Sequence, residues 1–385
     1  MRRRVVIATE IISPYRIPLF NTLAQESGVD VHVIFLSETD PELRQWRVYK
    51  EDIHFSYEVL PSWRKRIRGY NVLLNGGLER ALDAASPDAI LFGGYNYLAS
   101  WQALLWAQFH RVPFLLWSES NLQDQRGGRA AVEFLKLQFL KCCSGFAVPG
   151  KSAFEYLRAK GIPAELILAA PNAVDNHFFT NAAAAARRAD AKYRRDLSLP
   201  RRYFLFVGRL VAEKGVFDLL AAYAKLEAKL RENVGLIFVG DGVARTRLTE
   251  QARTISPGTI RFPGFAQREE LAVYYALADM LILPTRSDPW GLVVNEGMAC
   301  RLPVIVSRAA GCAADLVDDG WNGAVVPPAD IPALTKAMRR LADGPDDLAA
   351  MGNRSLQRIL QYSPQVWSEG LARAVEVIQC NGGGR

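Results

Sequence analysis

Short apolar runs alternate with helix-like stretches through the first half of the chain. The apolar runs are continuous, whereas the stretches between them carry apolar residues at helical spacing. Continuous apolar strands separated by helices are typical of a parallel sheet that is covered on both faces. The runs that predict strands are residues 5–9, 31–37, 89–92, 113–118 and 145–149.

The same alternation restarts in the second half of the chain. Helix-like stretches at 216–230 and 268–278 lie between the apolar runs. The strands predicted there are residues 203–208, 235–240, 259–264, 280–285, 303–307 and 323–327. The pattern therefore predicts two doubly wound α/β domains in tandem, whose ligands bind beyond the carboxyl ends of the strands. If the two domains face each other, those ends line one cleft.

The length of 385 residues also favours two domains over one. Residues 181–202 interrupt the alternation, because they are rich in alanine and then in Lys and Arg. We interpret this segment as the start of a basic connection between the domains, which could be helical and solvated. The predicted organisation is a first domain over 1–180, the connection over 181–202, a second domain over 203–362 and a C-terminal helix over 363–385.

The composition is that of a globular protein, with 50% hydrophobic and 23% charged residues. The net charge of +7 suggests an anionic partner. The chain carries no zinc-finger spacing and no long basic block, so we do not expect it to bind nucleic acid. Phosphorylated metabolites and anionic lipid surfaces both fit the charge.

The cysteines and the apolar segments favour the cytoplasm. The five cysteines form no C-x-x-C pair, which is typical of free thiols in a reducing compartment. The N-terminus begins like a signal peptide, but Glu10 and Arg16 interrupt the apolar run. Residues 89–109 carry no charge and are long enough to span a bilayer, yet Gly93 and Gly94 break them. We expect a strand, a turn and a buried helix there.

Charged residues and glycines gather directly after four predicted strands of the second half. A packing core has no use for charge at these positions, so we expect a binding site at that edge of the sheet. The residues are Arg209 and Lys214, Asp241 and Gly242, Gly264 and Phe265, and Asp288 and Glu296.

Chemistry suggests a role for each charge. Two cations after one buried strand suit a diphosphate, although a solvated pair at the head of a helix is the alternative for Arg209 and Lys214. A carboxylate such as Glu296 binds a vicinal diol well, and Asp288 could accept hydrogen bonds from a second ring. The alternatives are an acid at a helix N-terminus for Glu296 and a turn residue for Asp288. Free amides at Gly291 favour an anion or a sugar oxygen.

At these residues the chain resembles the family 4 glycosyltransferases, a retaining group with the GT-B fold. The family signature, E-P-F-G-L-V-x-x-E, stands here as D-P-W-G-L-V-V-N-E over 288–296. Further matches follow in the family's order. They are F-V-G-R-L-V-A-E-K-G at 206–215, V-G-D-G at 239–242, F-P-G-F at 262–265, P-N-A-V-D at 171–175 and D-G-W-N-G-A-V-V-P-P at 319–328.

The resemblance implies two Rossmann-like domains that face a central cleft, with a C-terminal helix after Ser363 crossing back to the first domain. It implies a UDP- or GDP-linked sugar as donor and no separate cofactor. By position, the second domain holds the donor and the first holds the acceptor. The implied donor contacts are Gly208, Arg209 and Lys214 for the diphosphate, Gly264 and Phe265 for the base, Gly291, Leu292 and Glu296 for the ribose side, and Asp288 for the transferred sugar.

Several positions depart from the family pattern. Asp288 stands where Glu is usual, and Trp290 where Phe is usual. The loop at 11–18 lacks the paired glycines of many relatives, so Arg16 could reach the donor or the acceptor instead; Tyr15 and Tyr95 are further acceptor candidates. Glu119 stands where relatives often carry His. We weigh a chemical role for Glu119 equally against an ion pair with a neighbour such as Arg126.

The predicted activity is a retaining, metal-independent transfer to a saccharide or lipid-linked saccharide in cell-surface polysaccharide or glycolipid synthesis. No Asp-x-Asp pair occurs in the chain, so a metal-bridged diphosphate is not supported. The alternatives are a non-catalytic protein that binds a nucleotide sugar or glycan, and an epimerase or phosphorylase of the same plan. The basic stretch at 61–77 could rest on the anionic inner face of the plasma membrane, or form a solvated loop.

Overall fold

The structure is a computed structural model that describes residues 3–26, 28–41, 44–67, 70–122, 130–256 and 258–382. The chain divides into two compact units. The N-terminal unit comprises Met1–Val174 and Pro364–Arg385, and the C-terminal unit comprises Asp175–Ser363.

The N-terminal unit is built on a seven-stranded parallel sheet in the order β3-β2-β1-β6-β7-β8-β9, with a separate antiparallel hairpin, β4–β5. Its strands are β1 (Arg4–Thr9), β2 (Asp30–Phe35), β3 (Ser56–Val59), β4 (Ser62–Ile67), β5 (Tyr70–Asn75), β6 (Ala89–Gly93), β7 (Phe114–Trp117), β8 (Gly145–Val148) and β9 (Ile167–Ala169). Its helices are α1 (Ile17–Glu26), α2 (Leu78–Ala85), α3 (Leu98–His110), α4 (Ala130–Cys142), α5 (Lys151–Ala159) and α16 (Pro364–Gly382).

Two apolar cores lie on the two faces of this sheet. One face packs against the hairpin and helices α2 to α5, and the other against α1 and α16. Trp367 of α16 is fully buried, with its ring 5.8 Å from Phe20 of α1 and 5.2 Å from Trp117 of β7. Burial on both faces explains why the strands read as continuous apolar runs.

The C-terminal unit has a six-stranded parallel sheet in the order β12-β11-β10-β13-β14-β15. Its strands are β10 (Tyr203–Val207), β11 (Gly235–Val239), β12 (Ile260–Gly264), β13 (Met280–Leu283), β14 (Val304–Ser307) and β15 (Gly323–Val326). Its helices are α6 (Asn176–Arg188), α7 (Asp190–Asp196), α8 (Val216–Ala224), α9 (Ala228–Asn233), α10 (Arg245–Ile255), α11 (Arg268–Leu277), α12 (Leu292–Ala299), α13 (Ala313–Leu316), α14 (Ile331–Asp343) and α15 (Pro345–Ile359). Two parallel α/β sheets confirm the predicted fold class.

The basic segment that we interpreted as the start of a connection between the domains forms helices that lie within the C-terminal unit. Residues 181–202 run through α6 and α7. The Arg187 guanidinium donates to the carbonyl of Cys300 at 2.5 Å. The Arg194 side chain donates to the carbonyls of Pro200 and Leu277. The arginines thus satisfy backbone acceptors of this unit, which a solvated linker would not do.

Two other segments differ from the sequence prediction. Residues 216–230 form α8 and α9 rather than one helix, because the chain turns between them and buries Leu226. Residues 61–77 contain the β4–β5 hairpin, in which Trp63 pairs with Leu74, rather than a loop. Arg68 lies outside the described residues.

The uncharged segment at 89–109 forms β6, a turn and α3, which confirms the prediction of a strand, a turn and a helix. Within the described part of the chain, no helix is both long enough and apolar enough to span a bilayer.

Candidate functional site

Three adjacent strands of the C-terminal unit end at glycines with left-handed backbone. The φ angles are 146° at Gly208, 136° at Gly240 and 99° at Gly264. The Gly208 amide donates to the carbonyl of Val239 at 3.0 Å, and the Gly240 amide to that of Gly264 at 2.7 Å. A Cβ on Gly240 would lie 2.0 Å from the carbonyl oxygen of Gly208. These strand ends therefore approach one another as bare backbone, closer than side chains would allow.

The loop after β10 carries both predicted cations. Arg209 is exposed directly after the strand. Lys214 ends a single turn of 3₁₀ helix, and its Nζ lies 2.5 Å from Oδ2 of Asp288. The two side chains of this pair are only 16% and 14% exposed. The sequence suggested separate ligand groups for Lys214 and Asp288, whereas the structure pairs them directly.

The β10 loop is held against the segment that follows β13. Gly215 has a φ of 70°, and a Cβ there would lie 2.0 Å from the carbonyl oxygen of Pro284. The carbonyl of Glu213 accepts hydrogen bonds from the Arg286 amide at 2.8 Å and from the Thr285 hydroxyl at 3.0 Å. The two loops are therefore bound to each other, and this contact fixes the position of Lys214 relative to Asp288.

The segment from Asp288 to Gly291 is fixed on its other side by the loop after β14. The Gly311 amide donates to the Asp288 carbonyl at 3.0 Å, and a Cβ on Gly311 would lie 1.8 Å from the carbonyl oxygen of Pro289. Trp290 is buried, and its Nε1 donates to Oδ1 of Asn295 at 2.9 Å. A buried indole needs such an acceptor, so Asn295 accommodates Trp290 at this position.

Helix α12 starts immediately after this segment. Gly291 precedes its first residue, Leu292, with a φ of 98°, and a Cβ on Gly291 would lie 2.8 Å from Cδ2 of Leu283. Glu296 lies on the same helix, one turn further along. Phe265, at the end of β12, exposes its ring to solvent. The segment of Asp288 therefore leads through Gly291 directly into the helix that carries Leu292 and Glu296. Phe265 follows a different strand, β12.

Glu296 accepts a hydrogen bond from a residue that the sequence did not single out. The hydroxyl of Tyr275 on α11 donates to its Oε2 at 2.7 Å. Burial raises the pKa of the Glu296 carboxyl to about 7, and the hydrogen bond from Tyr275 opposes part of that rise. The residue as a whole is half-buried, and most of the surroundings of its carboxyl group are protein.

The raised pKa of Glu296 predicts a pH-dependent change in stability. The folded protein holds this proton more tightly than the unfolded chain, so the resulting stabilisation is present below the unfolded pKa of about 4.3 and is lost as the pH rises through 7. Glu296→Gln cannot ionise and can still accept from Tyr275. We expect the variant to be more stable than the wild type by about 1–3 kcal/mol at pH 8 and nearly equal to it at pH 4.

Urea unfolding at the two pH values measures this difference in the free energy of unfolding. The matched control is Glu250→Gln, because Glu250 is exposed on α10 of the same unit. An equal stability difference at both pH values for Glu296→Gln would contradict the assigned ionisation.

In the N-terminal unit, Arg16 and Glu119 come together. Arg16 donates to the Thr9 hydroxyl at 2.6 Å, lies 4.4 Å from the centre of the Trp117 ring, and approaches Oε1 of Glu119 at 3.7 Å. The same oxygen of Glu119 accepts from Nδ2 of Asn172 at 2.9 Å. Glu119 therefore does form an ion pair with an arginine, as one of the two readings of the sequence expected, but its partner is Arg16.

The remaining candidates of this unit have other neighbours. Tyr15 packs edge-on against Trp46, with ring centres 5.9 Å apart. The Tyr95 hydroxyl lies 3.2 Å from that of Ser120, directly after Glu119 in the chain. Arg126, the partner first considered for Glu119, lies outside the described residues.

Three contacts of the site could not be read from the chain: Tyr275 to Glu296, Asn295 to Trp290, and Asn172 to Glu119. Tyr275 lies at a buried helix position and reads as core. Asn172 lies within the P-N-A-V-D match, which is the one available signal. Over the ranges that the structure describes, no three or more His, Cys, Asp or Glu side chains are grouped to hold a metal ion.

Two family models match this chain, one in each half. Residues 190–358 match the glycosyl transferases group 1, and residues 19–178 match glycosyltransferase family 4.

Curated relatives match in sequence over part of their length. The chain is 34% identical over 170 residues to alpha-D-kanosaminyltransferase of Streptomyces kanamyceticus, which covers 44% of this chain and 43% of that protein. It is 32% identical over 157 residues to glycogen synthase of Mycobacterium tuberculosis, covering 40% and 37%. The matches span less than half the length of these relatives.

Solved structures match over nearly the whole chain. Anabaena HepE, crystallised with UDP and glucose, superposes with a TM-score of 0.76 at 16% identity and covers 97% of this chain and 100% of its own. Sucrose-phosphate synthase from Thermosynechococcus elongatus gives a TM-score of 0.74 at 19% identity, covering 99% and 100%. At this level of identity the likeness shows a shared fold.

Proposed function

Because the chain belongs to the family 4, group 1 glycosyltransferases with the GT-B fold, we propose that it transfers a sugar from a nucleotide diphosphate to an acceptor with retention of configuration. The donor is UDP- or GDP-linked, and the acceptor is a saccharide or a lipid-linked saccharide. The reaction needs no metal ion. It serves cell-surface polysaccharide or glycolipid synthesis in the cytoplasm, at the inner face of the plasma membrane.

The observation that carries this proposal is the Lys214–Asp288 pair beside the glycine-ended strands. A diphosphate that enters there meets Lys214 and Arg209, and the bare backbone at Gly208 allows it to approach closely. When the phosphate accepts hydrogen bonds from the Lys214 ammonium, the Asp288 carboxylate becomes available to accept hydrogen bonds from hydroxyl groups of the sugar. The carboxylate of Glu296, when ionised, accepts hydrogen bonds from both hydroxyl groups of the ribose.

The proposed mechanism places the growing charge where the cations are. Transfer proceeds through an oxocarbenium-like state, with negative charge developing on the leaving phosphate. Arg209 and Lys214 stabilise that charge, and each such preorganised group can be worth about 3 kcal/mol. The leaving phosphate takes the acceptor proton on the same face of the sugar, so no protein base is required. Arg16, Glu119, Tyr15 and Tyr95 are the proposed acceptor contacts in the N-terminal unit.

A panel of UDP- and GDP-sugars tests the donor. We expect one member, at about 100 times its Kd, to raise the Tm by about 5 °C or more, since saturation at that level adds about 2.7 kcal/mol. Arg209→Ala and Glu296→Gln should both reduce transfer. If no member of the panel binds, or if transfer by both variants is near normal, the proposal fails.

Adding a cell extract as the source of acceptor separates this activity from the alternatives. A glycosyltransferase releases the nucleotide diphosphate faster when acceptor is present. A binding protein gives a thermal shift without turnover, and an epimerase converts the donor sugar with no acceptor at all.

A further inference from the structure

Exposed large apolar side chains are concentrated in three elements of the N-terminal unit. The hairpin β4–β5, helix α3 and helix α4 carry eight of the fourteen such side chains found among the described residues. They are Trp63 and Leu74 of the hairpin, Leu98, Leu105 and Phe109 of α3, and Val132, Phe134 and Leu135 of α4. Single exposed apolar side chains are normal on a protein surface, whereas a group of them in one place marks an interaction site.

Helix α3 carries three large apolar residues on its outer side. Its buried side consists of Ala99, Ser100, Ala103 and Ala107, which let the helix lie close to the sheet, together with Leu104. Leu98, Leu105 and Phe109 follow at spacings of seven and four, so they share one stripe on the outer side. All three are more than half exposed, and Phe109 is 85% exposed. From Leu98 to Phe109 the helix carries no charge.

The three elements are neighbours in one layer. They contribute to the same core on one face of the sheet, through Leu73 of the hairpin, Leu104 of α3 and Phe139 of α4. The ring of Trp101 on α3 lies 4.9 Å from that of Phe139. The outer sides of the hairpin, α3 and α4 therefore make up one face of the unit, which we call the apolar face.

The charges of this face are mainly positive. Lys65 is exposed on the outer side of the hairpin, Arg111 follows α3, and Lys141 is exposed near the end of α4. Within these three elements the only acidic residue is Glu133, and the Lys160 ammonium lies 2.8 Å from its carboxylate. A bulky apolar centre with exposed cations around it is complementary to anionic lipid headgroups over an acyl layer.

The hairpin is firmly attached beneath this face. Arg64 points inward, and its Nη1 donates to Oε1 of Glu10 at 2.8 Å and to Oδ2 of Asp40 at 2.7 Å. Asp40 is almost completely buried. Because Arg64 faces these acids, the exposed side of the hairpin is left to Trp63, Lys65 and Leu74.

We propose that the apolar face docks on an anionic lipid bilayer, with Leu105 and Phe109 inserted at the level of the headgroups and Lys65 on the phosphates. This face would make the membrane contact that is included in the proposed function. Only the purpose of docking, which is to reach a lipid-linked acceptor, rests on that function. Trp63 suits such a position, because indole is favoured at the boundary between headgroups and acyl chains.

Vesicle flotation tests the docking surface. Full-length protein is mixed with vesicles of phosphatidylcholine alone or with phosphatidylglycerol added. We expect binding to the anionic vesicles, reduced by raised salt and by Lys65→Glu. The double variant Leu105→Asp with Phe109→Asp should weaken binding by about tenfold or more.

The matched control is Leu360→Asp, because Leu360 is exposed to a similar extent, 56% against 62% for Leu105, but lies in the C-terminal unit. It should bind vesicles like the wild type. The inference is overturned if the wild type does not float with anionic vesicles. It is also overturned if Leu105→Asp with Phe109→Asp binds the vesicles as well as the control Leu360→Asp does. It is also overturned if Leu105→Asp with Phe109→Asp abolishes a dimer in size-exclusion chromatography while vesicle binding stays normal.

A thermal-shift assay with UDP and GDP on the same proteins separates the two proposals. The Leu105→Asp and Phe109→Asp variant should keep the nucleotide shift of the wild type, which also shows that it is folded. If neither nucleotide binds while vesicle docking persists, the donor assignment fails and the docking surface stands. If nucleotide binds normally and docking is absent, the reverse holds.

Discussion

Lys214→Ala is expected to lower the rate of sugar transfer by about 10²–10³-fold. The proposed role of this ammonium is to stabilise charge that grows on the leaving phosphate, and removal of one such preorganised group typically has an effect of this size. Because that charge is greatest in the transition state, kcat should fall more than KM rises. The measurement is steady-state transfer with the donor identified from the panel.

The ion pair with Asp288 provides an internal control for Lys214. Alanine at 214 leaves a largely buried carboxylate without its cation, so we also expect a loss of stability of about 1–3 kcal/mol. Adding Asp288→Asn should restore most of that stability without restoring transfer. If the double variant recovers both, the lysine acts only through folding and its assignment to the phosphate is wrong.

Arg209→Ala should behave differently, because Arg209 is exposed whereas Lys214 and Asp288 are largely buried. We expect it to reduce transfer while the free energy of unfolding stays within about 0.5 kcal/mol of the wild type. The two cations of one loop are thus separable by their burial: loss of Lys214 leaves a largely buried carboxylate without its cation, whereas loss of Arg209 removes an exposed side chain.

The fold could be predicted because its signal is repeated at most strands. The central parallel strands are buried on both faces, so each appears as a continuous apolar run that a single unusual residue does not hide. The edge strands β3 and β9 are partly exposed, and the sequence did not predict them. The prediction was less accurate where burial is one-sided. The hairpin at Ser62–Asn75 mixes Arg64 and Lys65 on opposite faces, and a run of basic residues conceals that alternation.

The candidate site could be predicted in its location but not in its pairing. Charge directly after buried strands marks the edge of the sheet, and this led to Lys214, Asp288 and Glu296. That Lys214 reaches Asp288, 74 residues further along, depends on the neighbouring position of β10 and β13 in the sheet and on the rotamers of both side chains. Neither is contained in a local pattern.

The Tyr275–Glu296 contact shows a different limit. Tyr275 is fully buried on α11, so in the sequence it has the appearance of a core residue. Its hydroxyl becomes important only because α12 presents Glu296 opposite it. A residue whose apolar body is core and whose polar end is part of the site can be identified only from coordinates.

Gly215→Ala should reduce transfer by about tenfold or more, although residue 215 is not assigned a ligand contact. A methyl group there would lie 2.0 Å from the carbonyl oxygen of Pro284, so the β10 loop has to move away from the β13 segment and take Lys214 with it. The matched control is Gly320→Ala. Its φ of 79° is close to the 70° of Gly215, but its added Cβ would have no neighbour within 4 Å.

The two alanine variants therefore share the cost of left-handed backbone, about 1–2 kcal/mol, and differ in the clash. We expect Gly320→Ala to lower the Tm with transfer unchanged, and Gly215→Ala to lower both, with the nucleotide diphosphate bound more weakly. Steady-state transfer, nucleotide binding and thermal unfolding of both variants measure this. Equal transfer by both would mean that the close contact of Gly215 with Pro284 does not position Lys214, and that this ammonium finds the phosphate without help from the loop.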